Sequence, residues 1–211
     1  MYMQKKVALF DIDKTIIRND SMFLFVWYGI KKRPSTIFNL IRIGLYTVLY
    51  QLRLMKVEQV KAYYYYAIRY LNEADLEEFY DSSLETSIYK EALSELKRKK
   101  EAGYHVLLVS ASPHAYVKYF KKLPCVDEVI GTKLICNNEG YTHVIDGSNC
   151  KGEEKTVRIN EYLKENGFQI DYENSCAYSD SLSDMPLFQL VKHRFLINKR
   201  SPNMEELRWK A

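Results

Sequence analysis

No run of apolar residues in this chain is long enough to cross a bilayer. The most apolar stretch, 35–54, is interrupted by Asn39, Arg42, Gln51 and Arg53, and a spanning helix needs about 20 predominantly apolar residues. The same stretch remains open as an interfacial helix. No secretory leader is expected either, because Lys5 and Lys6 are followed by only four apolar residues, Val7–Phe10, before Asp11, too few for a signal-peptide core. Cysteine is scarce: Cys125, Cys136, Cys150 and Cys176 never fall at C-x-x-C spacing. That excludes a cysteine metal site and a disulfide scaffold, and it implies reduced thiols in a cytoplasmic protein. Charge of one sign is lacking too, since 31 Lys and Arg against 27 Asp and Glu leave only +4. This balance does not call for a nucleic acid partner, although it suits an anionic substrate. His105, His114, His143 and His193 share no ligand spacing. Internal repeats and low-complexity linkers are likewise missing.

What is present is a core-forming composition, 47% hydrophobic over 211 residues. Short β-prone runs ending in polar or acidic residues recur at 7–10, 106–109, 175–178 and 195–197. Helical patterns at 90–101, 115–122, 155–166 and 185–191 lie between or beside them, bounded by breakers such as Gly103, Pro124 and Gly167. The alternation predicts an α/β fold with a parallel sheet. Residues 130–146 depart from it, with alternating residues around 137–140, and predict a β-hairpin. Residues 18–87 are Tyr- and Leu-rich and almost free of Gly and Pro, which predicts an insertion of helices at 22–31, 35–54, 57–70 and 73–85. The tyrosines at 63–66 read as packing on a helix, because no basic-aromatic sheet motif surrounds them.

Three predicted strands end in groups that phosphoryl transfer can use, and in an open parallel sheet such ends converge on one site. The first end, VALFDIDKT, holds Asp11 and Asp13 two residues apart, so that an extended chain points both carboxylates the same way. Two carboxylates held together repel, and a divalent cation is the ordinary remedy. LLVSASP presents Ser110, with Ser112 nearby, next to the backbone N–H groups of a helix start. CAYSDSLSDMPLF places Asp180 and Asp184 between a strand and a helix. A lysine is needed against the combined charge of phosphate and carboxylate, and Lys151 and Lys155 precede the third strand. Of the two, Lys151 reads as solvated. The basic residues of the inserted segment, Lys61 among them, read mainly as a solvated face, with one or two free to guide an anionic substrate.

In this order the motifs resemble the haloacid-dehalogenase-like superfamily of aspartate-nucleophile phosphatases, and within it the phosphoserine-phosphatase-like branch. The resemblance spans nearly the whole chain. Asp11, Asp13 and Thr15 match its D-x-D-x-T, Ser110 its second motif, Lys155 in G-x-x-K its third, and Asp180 with Asp184 its D-x-x-x-D. What this implies is a Rossmann-like three-layer sandwich built from 1–17 and 88–211, with 18–87 as a helical cap. It further implies that Asp11 is the nucleophile and Asp13 the general acid and base. Mg²⁺ is then held by Asp11, the backbone carbonyl of Asp13 and Asp180, with Asp184 and Thr15 behind them. Ser110, Ala111 and Lys155 bind the phosphoryl oxygens, and Asp20 stands where the branch reads its substrate, although Asp20 also suits an N-cap for the helix at Met22. Three departures bear on the substrate: Lys14 in place of Gly or Ser, SAS in place of Ser-Gly-Gly, and SDSLSD in place of a GD opening.

The expected activity is thus hydrolysis of a small soluble phosphomonoester through an aspartyl-phosphate. A lipid-phosphate phosphatase at a membrane surface is the alternative, since 34–54 and the segment 178–195 around Asp180 and Asp184 also resemble phosphatidylglycerophosphatase-type members, so a peripheral membrane contact stays open. A non-enzymatic phospho-acceptor domain ranks lower, because such domains lack a helical insertion and a second aspartate at the Asp13 position. Dehalogenation has no use for an acid there.

Overall fold

The computed structural model describes residues 2–202 and 204–210. In it a short strand β1 (Met3–Lys5) leads into β2 (Val7–Phe10), whose residues are all fully buried, as an uninterrupted apolar run must be when both faces of a strand are covered. Four helices follow, α1 (Ser21–Lys32), α2 (Asn39–Gln51), α3 (Val57–Tyr64) and α4 (Glu73–Phe79). The chain then alternates through α5 (Lys90–Glu101), β3 (His105–Pro113), α6 (His114–Val117) and β4 (Glu128–Thr132). An antiparallel hairpin, β5 (Leu134–Asn137) and β6 (Gly140–Ile145), precedes α7 (Glu153–Glu165). Last come β7 (Phe168–Ile170), β8 (Cys176–Ser179), α8 (Met185–Gln189), β9 (His193–Ile197) and β10 (Glu205–Leu207).

The main sheet runs β10-β9-β8-β2-β3-β4, every pair parallel. β2 is central, with Leu9 registered between Leu107 and Ala177. Because side chains alternate across a strand, Ala8 and Phe10 pack with Ala92 and Leu96 of α5, whereas Val7 and Leu9 pack with Ile159 and Leu163 of α7 and with Phe188 of α8. The result is the expected three-layer, Rossmann-like α/β sandwich with inserted helices. No helix among the described residues is long and apolar enough to cross a membrane.

The inserted helices are shorter than their apolar patterns suggest. Residues 35–54 divide into a 3₁₀ turn at Pro34–Phe38 and α2, and 57–70 into α3 and a second 3₁₀ turn at Tyr66–Tyr70. After Phe79 the backbone widens into a π-turn at Tyr80–Leu84 that buries both of its end residues. The tyrosine run packs as expected, with Tyr65 fully buried and Tyr63 stacked on Tyr46 at 4.1 Å between ring centroids. Gly29 explains how closely α1 approaches the second 3₁₀ turn, since a Cβ there would lie 2.3 Å from the Cβ of Ala67. The segment begins and ends at one narrow neck. Ile17 and Ile88 form an antiparallel bridge, the Arg18 N–H donates to Ser87 O at 2.9 Å, and the Tyr89 N–H donates to Ile16 O at 3.0 Å. On the far side, the hairpin places the His143 ring 5.3 Å from that of Tyr66.

Candidate active site

Asp11 follows the last residue of β2 and stays tied to the sheet through its N–H, which donates to Tyr178 O at 2.9 Å. Its carboxylate accepts from Lys155 Nζ at 2.6 Å on Oδ1 and from Thr15 Oγ1 at 3.1 Å on Oδ2. Burial pushes this carboxyl up to about 7; Lys155 opposes the shift, while Asp184 and Asp13 add to it. Lys155 is itself buried on the first turn of α7, after Gly152, whose φ of 58° turns the chain into the helix. Burial would lower the lysine's pKa, but Asp11 and Asp184 more than reverse that, so the ammonium is held charged. Asp184 accepts from Lys155 Nζ at 2.9 Å and from Ser179 Oγ at 2.7 Å, which fixes the lysine between two carboxylates.

Asp13 faces the end of β3. Its Oδ2 accepts from Ser110 Oγ at 3.0 Å and Ser112 Oγ at 2.9 Å, and its Oδ1 accepts the Ser21 N–H at 2.6 Å, where α1 begins. Ser110 is fully buried behind the cleft surface, which Ala111 and Ser112 form. Thr15 links two strand ends, because its hydroxyl donates to Asp11 and accepts the Asp180 N–H at 2.9 Å. The Asp180 carboxylate pairs with Lys199 at 3.0 Å. Asp20 caps α1 through the Met22 N–H at 3.0 Å while also lining the cleft, and burial followed by the charge of Asp13 raises its pKa. Lys14 lies in the left-handed region at φ 58°, a conformation easier for glycine.

These groups surround a cleft of about 400 Å³, where Lys14, Lys61, Lys151, Lys155 and Lys199 face Asp11, Asp13, Asp20, Asp180 and Asp184. Lys151 is exposed on the rim, as expected for a solvated lysine. Lys61 was legible only as one basic residue of the insertion among many. In the structure it reaches from α3 to the C-terminal end of β3 and to the segment before α7, donating to Ala111 O at 3.1 Å and to Asn149 Oδ1 at 3.0 Å. Burial lowers its pKa to about 8, with Asp13 opposing. Lys199 was missed altogether, although it follows β9 by two residues and the strand-end rule applied to that strand would have found it.

The oxygen donors at Asp11 and Asp180 are of the hard kind that Mg²⁺ prefers. No cluster of three or more His, Cys, Asp or Glu side chains suited to a metal exists among the described residues. The Asp13 carboxylate is taken up by the Ser21 N–H and by the hydroxyls of Ser110 and Ser112.

The profile of the haloacid dehalogenase-like hydrolase family matches residues 8–189. A histidinol-phosphatase from Neisseria meningitidis is 25% identical over 92% of this chain and 90% of its own length. A protein of unknown function from Bordetella pertussis superposes with a TM-score of 0.83 at 22% identity, covering 97% of this chain and 99% of that one. The phospho-aspartyl intermediate analogue of a phosphoserine phosphatase superposes with a TM-score of 0.63 at 20% identity, over 92% and 87% of the two chains. Because the family match takes in the ends of β2, β3 and β8 together with Lys155, this chain belongs to the haloacid dehalogenase-like hydrolases.

Proposed function

We propose that this hydrolase is a Mg²⁺-dependent cytoplasmic phosphatase that transfers the phosphoryl group of a small phosphomonoester to Asp11 and then to water. The observation that carries the reading is the buried Asp11 carboxylate, held by Lys155 and Thr15 at the floor of a cleft that Asp13 also lines. Resemblance to a phosphatase whose phospho-aspartyl intermediate analogue is known supports the same chemistry.

An Asp11 oxygen attacks phosphorus in line, so that an O–P bond forms as the bond to the leaving alcohol breaks, and Asp13 gives that alcohol its proton. Water then attacks the aspartyl-phosphate and returns a proton to Asp13, releasing inorganic phosphate and restoring the Asp11 carboxylate. Asp13 must exchange one of its serine donors for the substrate oxygen as it acts. Lys155, oriented by Asp184, meets the charge of the phosphoryl oxygens, and the backbone at Ala111 completes their cradle, with Ser110 behind it holding Asp13. Asp11, Asp180 and the backbone carbonyl of Asp13 would hold Mg²⁺, which supplies charge neutralisation at the phosphoryl group. In this reading residues 1–17 and 88–211 form the catalytic core. Residues 18–87 form a cap that selects the leaving group, with Asp20, Met22 and Lys61 on the cleft wall.

The test is hydrolysis by the purified chain, with Mg²⁺ and with excess chelator, of a panel holding phosphoserine, histidinol phosphate, other soluble phosphomonoesters and lipid phosphates in detergent. Turnover of a soluble ester that chelator abolishes and Mg²⁺ restores is expected. Full activity in chelator overturns the metal assignment, and selective turnover of a lipid phosphate overturns the soluble substrate.

A further inference from the structure

Helix α2 buries a single residue, Asn39. Its other face is an exposed apolar stripe, Ile41 (74% exposed), Leu45 and Val48, continued by Phe38 (73%) before the helix and Leu52 after it. Those positions step by three and four, which aligns them along one side of a helix. On the neighbouring α1, Phe23 and Trp27 are also exposed, one turn apart. Phe23 packs edge-to-face with Tyr64 of α3, whose hydroxyl lies 3.3 Å from Thr47 of α2, so α3 links the two helices that carry the exposed patches.

Residues 21–57 contain no aspartate or glutamate, while Lys31, Lys32, Arg33, Arg42, Arg53 and Lys56 fall within them. Only Lys32 of these is in an ion pair among the described residues, with Asp75 and Glu78. Arg33 and Arg42 lie over the rings of Tyr70 and Tyr66, contacts that leave their charge intact. Arg42 follows Ile41 within α2, and Arg53 follows Leu52 just beyond the end of the helix.

We propose that α2 with the exposed edge of α1 is a docking surface for an anionic lipid bilayer. The helix lies in the interface with Phe38, Ile41, Leu45 and Val48 toward the acyl chains and Arg42, Arg53 and Lys56 at the headgroups. Charge decides between this occupant and a second copy of the chain. A two-fold contact through the stripe would bring two acid-free basic segments together with nothing to neutralise them, whereas anionic headgroups supply the missing sign. The surface lies outside the catalytic cleft, and its occupancy does not depend on which phosphoester is hydrolysed.

The test is co-sedimentation of the full chain with zwitterionic phosphatidylcholine vesicles and with vesicles rich in phosphatidylglycerol, at low and high salt. Trp27 fluorescence is followed alongside. Only two tryptophans are present and Trp209 is buried, so a blue shift reports Trp27, and Trp27→Phe should abolish it. Binding selective for the anionic vesicles and lost at high salt is expected. The Ile41→Glu/Leu45→Glu variant, and Arg42→Glu/Arg53→Glu with the stripe intact, should each weaken binding more than about tenfold. Their turnover of a soluble aryl phosphate should be unchanged. Absence of binding at low salt overturns the proposal, as does equal binding to both kinds of vesicle. A dimer in sedimentation equilibrium that Ile41→Glu/Leu45→Glu dissociates also overturns it and assigns the face to a second copy.

Discussion

Replacing Lys155 by Met keeps the length and apolar stem of the side chain and removes one charge from an almost fully enclosed position. In the native protein Nζ lies 2.6 Å from Asp11 and 2.9 Å from Asp184. Without it two buried carboxylates face each other uncompensated, and removing one partner of a buried ion pair typically destabilises by about 3–5 kcal/mol. That is a large fraction of the roughly 5–15 kcal/mol that holds a domain folded. The sign with pH follows from Asp11, whose folded pKa, already raised to about 7 by burial, loses the lowering contribution of Lys155. A raised carboxyl takes up protons on folding, so the variant should lose stability as pH rises above the ordinary carboxylate range and through the folded pKa. The deficit against the native chain therefore grows as pH rises above about 7, where the native carboxyl ionises beside Lys155 and the variant's does so only at a cost, and it is smaller at about pH 5 than at about pH 8. Urea melts in chelator at both pH values read it directly, as a change in midpoint at constant m-value. Adding Mg²⁺ should restore part of the loss by binding the folded form, and Lys155→Met/Asp184→Asn should recover part of it by removing one of the opposed charges. A deficit at about pH 8 below ~1 kcal/mol, or one that does not shrink on acidification, would refute the account of Lys155 as the buried counter-charge.

Asp11→Asn should reduce turnover to background, whereas Asp13→Asn should lower turnover by ~10²–10⁴ and still give a burst of nitrophenol from nitrophenyl phosphate in rapid quench; the same burst from both variants would contradict their division of labour. Lys61 is expected to lose its proton as pH rises past about 8, so KM for an anionic ester should climb there, and Lys61→Met should flatten that climb in a KM-against-pH profile. The same lysine, with its pKa lowered on folding, should make a contribution to stability that grows between about pH 8 and the unfolded value, visible as a rising urea midpoint that Lys61→Met removes. Gly29→Val should destabilise by about 1–3 kcal/mol through the clash with Ala67, read as a lower melting temperature.

The apolar runs at 7–10 and 106–109 are legible because a buried parallel strand must be apolar throughout, and the acidic and hydroxyl residues just after them stand out by contrast. Asp11, Asp13, Ser110, Asp180 and Asp184 are all local to such strand ends, or two to five residues beyond them, so one dimension suffices to find them. β1, β4, β7 and β10 escaped notice because each is short or at a sheet edge, where burial is incomplete and the pattern loses contrast. Lys61 is different in kind: nothing about its neighbours along the chain distinguishes it from Lys56 or Arg53. Its role arises only when α3 folds over the end of β3 and places an ammonium beside Ala111 and Asn149. The breaks within the inserted helices were hidden for a related reason. Apolar periodicity continues through both 3₁₀ turns, of which the first opens on Pro34 and buries Thr36 and the second buries Ala67 and Ile68.

The neck formed by Ile17 with Ile88 and Arg18 with Ser87 means that everything between those residues leaves and rejoins the sheet at nearly the same point. For a chain held that way, the entropy of closing the loop grows only with the logarithm of its length, about 0.6 kcal/mol for each doubling. The intervening segment can therefore lengthen, shorten or be exchanged for another without pulling on β2 or on Asp11 at its tip. If, as proposed, residues 18–87 select the substrate, selection can rewrite the roof of this cleft while the floor, tied down by Thr15, Lys155 and Asp184, stays as it is.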